Sequence, residues 1–120
     1  MTKSQNGKQY DLEDRTLDFA RRVREFIRKL NRTLTNIEDC KQLIRSSGSV
    51  GANYIEANEA LSKKDFLMRI KICRKEAKES RYWLKLINID KKELEQERSV
   101  LEQEASELTH IFGAIVTKSG

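Results

Sequence analysis

LEDRTLDFARRVREFIRKL, Leu12 to Leu30, is the stretch from which the fold is read. Leu12, Thr16, Phe19, Val23, Phe26, Ile27 and Leu30 recur at intervals of three and four, which places them on one face of a helix. Charged side chains fill the intervals. A helix with one apolar face must bury it against partners, so the rest of the chain has to supply them.

Three further helices answer. After the polar link from Asn31 to Leu34, Thr35 followed by Glu38 has the spacing of a capping box, in which hydroxyl and carboxylate satisfy free backbone amides, and predicts the start of helix two. Ser62 with Asp65 and Asp90 with Glu93 repeat the device before helices three and four. Helix four is expected from about Lys91 to Val116, burying Leu94, Leu101, Ala105, Leu108, Phe112 and Ile115. Short links make consecutive helices antiparallel. The predicted fold is therefore all-α, an up-down-up-down four-helix bundle forming a single domain over residues 1–120, with 1–9 and 117–120 as flexible tails. Composition agrees: proline is absent, glycine numbers five, and 36% of residues are charged, which favours long helices over turn-rich sheets. No apolar run is long enough to span a bilayer, and Met1 to Lys8 is polar with no hydrophobic stretch behind it, so a cytoplasmic location is expected. Cys40 and Cys73 lie far apart, without metal-like spacing. They read as reduced core thiols, with a structural disulfide as the alternative.

Helix three carries more apolar surface than one core face needs. Phe66, Ile70, Cys73, Ala77, Ser80 and Leu84 share one narrow arc, while Met68, Ile72, Trp83 and Leu86 form a second stripe, with Glu76 and Glu79 between the two. On helix two, Ile37, Cys40, Leu43, Ile44, Ser47, Gly51, Tyr54, Ile55 and Asn58 are expected to face inward. Ser46, Val50, Asn53, Ala57 and Ala60 then make a small-residue flank. A second apolar stripe and a close-approach flank point to a subunit interface through Met68, Ile72, Trp83, Leu86, Ser46, Val50, Asn53 and Ala57. The alternative is a wide core that wraps both stripes. Trp83, a large amphipathic ring, favours the interface.

Charge is segregated along the chain. From Lys63 to Lys85 there are nine basic residues against three acidic, whereas Asp90 to Lys118 has seven acidic against four basic. Lys71, Arg74, Lys75, Lys78, Arg81 and Lys85 fall on one outward arc with Tyr82 among them, and Arg21, Arg24, Arg28 and Arg32 add charge on helix one. Such a ridge attracts phosphate backbones through counterion release, which makes RNA or DNA a candidate partner. Solvated charge, or a ridge that docks an acidic partner protein or the acidic helix four of a neighbour, is the competing reading. No zinc-finger spacing, RNA-recognition aromatic motif or helix-turn-helix is present, so binding is expected to follow the backbone and not the base sequence.

No catalytic constellation is visible. His110, the single histidine, points away from the Leu101, Leu108 and Phe112 face, and the carboxylates lack the Glu-x-x-His pattern of bundle di-metal sites. Gly48 and Gly51 form no phosphate loop, and Ser46, Ser47 and Ser49 lack a partnered base. A non-enzymatic protein without cofactor or metal is expected. Asn58, placed on the inward arc of helix two, would need amide partners there, while Glu56 and Glu59 project outward.

Two stretches, QLIRSSGSVGANYIEANEA from Gln42 to Ala60 and KKDFLMRIKICRKEAKESRYWLKLI from Lys63 to Ile87, resemble the bacterial four-helix-bundle family of ribosomal-RNA (23S) intervening-sequence proteins. That family is similar in fold to the accessory variability protein of diversity-generating retroelements, a basic pentameric barrel that associates with a reverse transcriptase and nucleic acid. The resemblance implies a four-helix bundle and a homopentamer. It assigns no functional residue individually.

Overall fold

The computed structural model describes residues 11–119, which form four helices: α1 (Leu12–Arg28), α2 (Leu34–Asn58), α3 (Lys63–Leu86) and α4 (Lys92–Ser119). The expected tails divide. Residues 1–9 and 120 lie outside the described residues, whereas 117–119 continue α4, and Thr117 Oγ1 donates to Gly113 O at 3.1 Å.

Helix starts follow local chemistry. The Asp11 carboxylate accepts from Asp14 N at 2.8 Å, and Ser62 Oγ accepts from Asp65 N at 3.1 Å, each satisfying an amide that the first turn leaves free. Helix two begins earlier than its capping box suggests. Thr33, not Thr35, is the cap, its hydroxyl accepting from Asn36 N at 3.2 Å, and Thr35 Oγ1 accepts from Asn88 Nδ2 at 3.5 Å. The earlier start lets Asn36 reach two loops at once, as described below. Before α4, the Asp90 carboxylate accepts from Asn31 Nδ2 at 2.6 Å, tying the α1–α2 and α3–α4 links together.

The helices pack in ring order. α2 lies against α1 and α3, α3 against α4, and α4 approaches α1 least, while α1 and α3 sit on one diagonal and α2 and α4 on the other. The bundle is flattened, with extents of 45 × 33 × 19 Å. Its core is built from Phe19, Val23 and Phe26 of α1, Leu43 and Val50 of α2, Ile70, Cys73, Ala77 and Leu84 of α3, and Leu101, Ala105, Leu108 and Phe112 of α4. The faces read for α1, α3 and α4 therefore hold.

The face of α2 is rotated from the expected one. Its buried residues are Asn36, Cys40, Leu43, Ser46, Ser47, Val50 and Ala57, while Ile37, Ile44, Ile55 and Asn58 are exposed. Close approach to α3 decides this: Ser46 and Ala57 let the two backbones draw together, and Ser80 Oγ donates to Ser46 Oγ at 2.9 Å inside the seam. The isoleucines are left at the margin towards α1. There Gly51 lets Thr16 of α1 nestle in, since a Cβ at Gly51 would lie 2.8 Å from Thr16 Oγ1.

Three polar residues hold the ends and seams. Asn36, only 3% exposed, donates to Asn31 O and Asn88 O, both at 3.1 Å, and its Oδ1 accepts from Asn88 N at 3.0 Å. Arg98 of α4 donates to Leu84 O at 3.2 Å and Ile87 O at 2.6 Å, which satisfies carbonyls that the end of α3 leaves free. Arg15 spans α1 to α4, its Nε 2.7 Å from Glu104 and its Nη2 2.8 Å from Glu107. Hydrogen bonds from Gln103 and Arg15 hold the Glu107 carboxyl below the usual carboxylate range.

Candidate nucleic-acid interface

The ridge is a product of the α3 helical period. Ile70, Cys73, Ala77, Ser80 and Leu84 are buried, which fixes the rotation of the helix and turns Lys71, Arg74, Lys75, Lys78, Arg81, Tyr82 and Lys85 to solvent. All seven are exposed. Among the described residues, Lys71, Arg74, Lys78, Arg81 and Lys85 make no ion pair, while Lys75 Nζ lies 3.7 Å from Glu76 Oε2. Arg74 marks the α4 edge of the row, its stem beside Gly113; a Cβ on that glycine would meet Arg74 Cδ at 3.7 Å.

Five of the six acidic residues of α4, all but Glu93, are engaged away from the ridge. Glu104 and Glu107 pair with Arg15 of α1, Glu97 with Lys29 at 3.0 Å, and Glu95 and Glu102 with Arg98 of their own helix. These acids are thus engaged by α1 and by α4 itself, and the ridge keeps its positive field. The arginines of helix one lie across the bundle from the ridge, since the backbones of α1 and α3 do not approach one another. Arg24 donates to Ala20 O at 3.1 Å and reaches towards Gly48, and Arg28 pairs with Glu25 at 2.7 Å.

The expected interface residues are scattered by the fold. Ser46, Val50 and Ala57 are sealed between helices of their own chain, and Asn53 is half-buried with its Oδ1 accepting from Arg69 Nη1 at 2.9 Å. The small-residue flank is therefore turned into the chain's own bundle, and Ser46, Val50 and Ala57 have almost no surface to offer a second subunit. Of the α3 stripe, Ile72 and Trp83 are half-buried, with Trp83 against the core, while Met68 and Leu86 remain 48% and 45% exposed.

One charged residue departs from the surface expected of it. Glu76 is 5% exposed, inside the α2–α3 seam, with Arg45 Nη2 3.4 Å from its Oε1, which makes no hydrogen bond. Its register gave the signal: it lies three residues beyond Cys73 and four before Ser80, both on the buried arc. The same logic finds Asn36, four residues before Cys40 and seven before Leu43.

Other candidate groups are quiet. Cys40 and Cys73 are free and buried, and burial pushes the Cys73 thiol up to about 12, so it stays protonated near neutrality. His110 is exposed, its Nδ1 2.9 Å from Ser106 O. Among the described residues no group of three or more His, Cys, Asp or Glu side chains is placed to hold a metal ion, and no helix is long and apolar enough to cross a membrane.

Comparison with known proteins places this geometry. Residues 8–114 match the family model described as 23S rRNA-intervening sequence protein. Among solved structures, the chain is similar to a protein of unknown function from the S23 ribosomal protein family of Bacteroides thetaiotaomicron, with 29% identity and a TM-score of 0.77 over 88% of this chain and 98% of that one. No curated protein matches it.

Proposed function

Because the chain belongs to the 23S rRNA-intervening sequence protein family, we propose that it is a non-enzymatic binding module whose α3 ridge lies along the phosphate backbone of RNA or DNA. One observation carries this reading: five exposed cations on one helical arc have no acidic partner among the described residues, while five of the six acids of α4, all but Glu93, are occupied by the α1 side and by Arg98. Cations left unpaired by their own chain neutralise phosphates and release condensed counterions, a sequence-independent gain. The same reading has several copies assembling, which would multiply the ridge around a symmetric particle.

Salt titration tests it. Binding of mixed-sequence RNA or DNA should weaken log-linearly with salt, with a slope of about −3 to −4 if about four to five phosphates of a single strand are neutralised. Charge reversal is best placed at Lys71 and Lys78, since Lys75 sits beside the buried Glu76 and its reversal would disturb the fold. Lys71→Glu with Lys78→Glu should weaken binding to all sequences alike and flatten the salt slope, with circular dichroism unchanged. A ridge that serves an acidic protein instead would give no nucleic-acid binding even at low salt, and that result would retire the proposal.

A further inference from the structure

Tyr82 stands near the C-terminal end of the ridge and is 56% exposed, an unusual position for a large aromatic ring with no partner element over it. Lys78 and Lys85 lie one turn away on either side, and Lys75 two turns back, so cations bracket the ring along the helix. It is also braced. The Trp83 ring meets it edge-on, with centroids 5.1 Å apart and planes at 76°, and Trp83 itself is half-buried against the core. A ring held this way has less rotamer freedom left to lose when something stacks on it.

We propose that the ridge takes single-stranded nucleic acid, with Tyr82 as the platform on which an unpaired base stacks while the flanking lysines hold the phosphates on either side. The inference rests on the backbone-binding reading above and adds the ligand class. A straight row of cations along one helix follows a single strand, and every unpaired base has a free π-face, so stacking on tyrosine is indifferent to sequence. In a closed duplex the base faces are already stacked on one another, leaving the phosphates to the lysines and nothing to the ring. The motif thus separates two components of affinity on neighbouring residues: charge for either form, the ring for the single strand alone.

The test compares one mixed-sequence oligonucleotide, single-stranded and annealed to its complement, against the full chain by fluorescence anisotropy at low salt. The unmodified protein should prefer the single strand. Tyr82→Ala should weaken single-strand binding by about 5- to 150-fold, the range of one base–aromatic stack, and leave duplex binding unchanged, while Tyr82→Phe retains the preference. Trp83 is the only tryptophan, so its emission reports directly on the neighbouring ring and should change on adding the single strand but not the duplex. Equal losses on both forms, or no loss on either, would overturn the platform while leaving the ridge standing, as Lys71→Glu with Lys78→Glu would still weaken binding to both. A fall in particle mass for Tyr82→Ala with single-strand affinity intact would assign the ring to a contact between copies and likewise overturn it. If the unmodified protein binds neither form, the ridge reading itself fails and the platform with it.

Discussion

Asn36 does at one position what usually takes several side chains. Its amide satisfies the carbonyls of Asn31 and Asn88 and accepts from the Asn88 amide, so the link before α2 and the link before α4 are locked to the same buried group. Buried backbone groups deprived of a partner cost about 1–3 kcal/mol each, and water reaches them poorly when the residue is 3% exposed. Asn36→Ala should therefore destabilise the chain by about 2–4 kcal/mol in chemical denaturation, with no effect on the ridge. A loss under about 0.5 kcal/mol would mean that the two links hold without it. Glu76 shows the opposite economy. It is a buried carboxylate near Arg45 and Lys75 with one oxygen lacking a hydrogen bond, an arrangement that makes removal of the partner worse than removal of the pair.

At the scale of elements, the α1–α2 contact turns on two glycines three residues apart. A Cβ at Gly51 would lie 2.8 Å from Thr16 Oγ1 and 3.2 Å from Thr16 Cβ, and the hydroxyl is pinned by hydrogen bonds to Leu12 O at 2.8 Å and Glu13 O at 3.1 Å. At Gly48 the nearest atom is Arg24 Nη2 at 3.5 Å, an ordinary contact with the end of a flexible side chain. Alanine gains about 1 kcal/mol over glycine inside a helix, while forcing extra volume into a tight contact costs about 1–3 kcal/mol. Gly48→Ala should thus raise the melting temperature and Gly51→Ala lower it, and thermal unfolding of the two variants side by side checks the difference in sign. Equal shifts would show that α1 slides freely on α2. Sequence reading placed Gly51 inward, which is right, but could not separate the two glycines, because the distinction depends on what faces each one.

For the whole molecule, exposed apolar side chains gather in two groups along the helices, apart from Leu34, Leu61 and Val100. Leu17, Ile37, Ile44 and Ile55 line the α1–α2 side, and Met68 and Leu86 mark the ends of the α3 stripe. We propose that copies of the chain cover this surface in a homo-oligomer, with five the number implied by the family resemblance. Light scattering should then return about 70 kDa, five times the 14.0 kDa chain, at micromolar concentration. Ile44→Lys with Ile55→Lys, and separately Met68→Lys with Leu86→Lys, identify which surface carries the contact by which pair lowers the mass. A monomeric mass for the unmodified protein would remove the assembly and leave these side chains as solvated apolar surface. Trp83 is the weaker probe, since its half-buried ring also packs on the chain's own core.

The sequence by itself determined the four helices, the Ser62 cap, the core faces of α1, α3 and α4, and the outward arc of Lys71 through Lys85. Each is a local property: helical period converts spacing into direction, and a hydroxyl or carboxylate beside the first turn satisfies its own amides. Only tertiary structure decided the rotation of α2, the placing of Arg45 beside Glu76 and the double duty of Asn36. α2 lies between two neighbours, so apolar density alone did not say which face each would take. The close approach of Ser46 and Ala57 to α3 outweighed burial of Ile37, Ile44 and Ile55, because small facing residues bring whole backbones into contact, whereas each isoleucine gains only its own area.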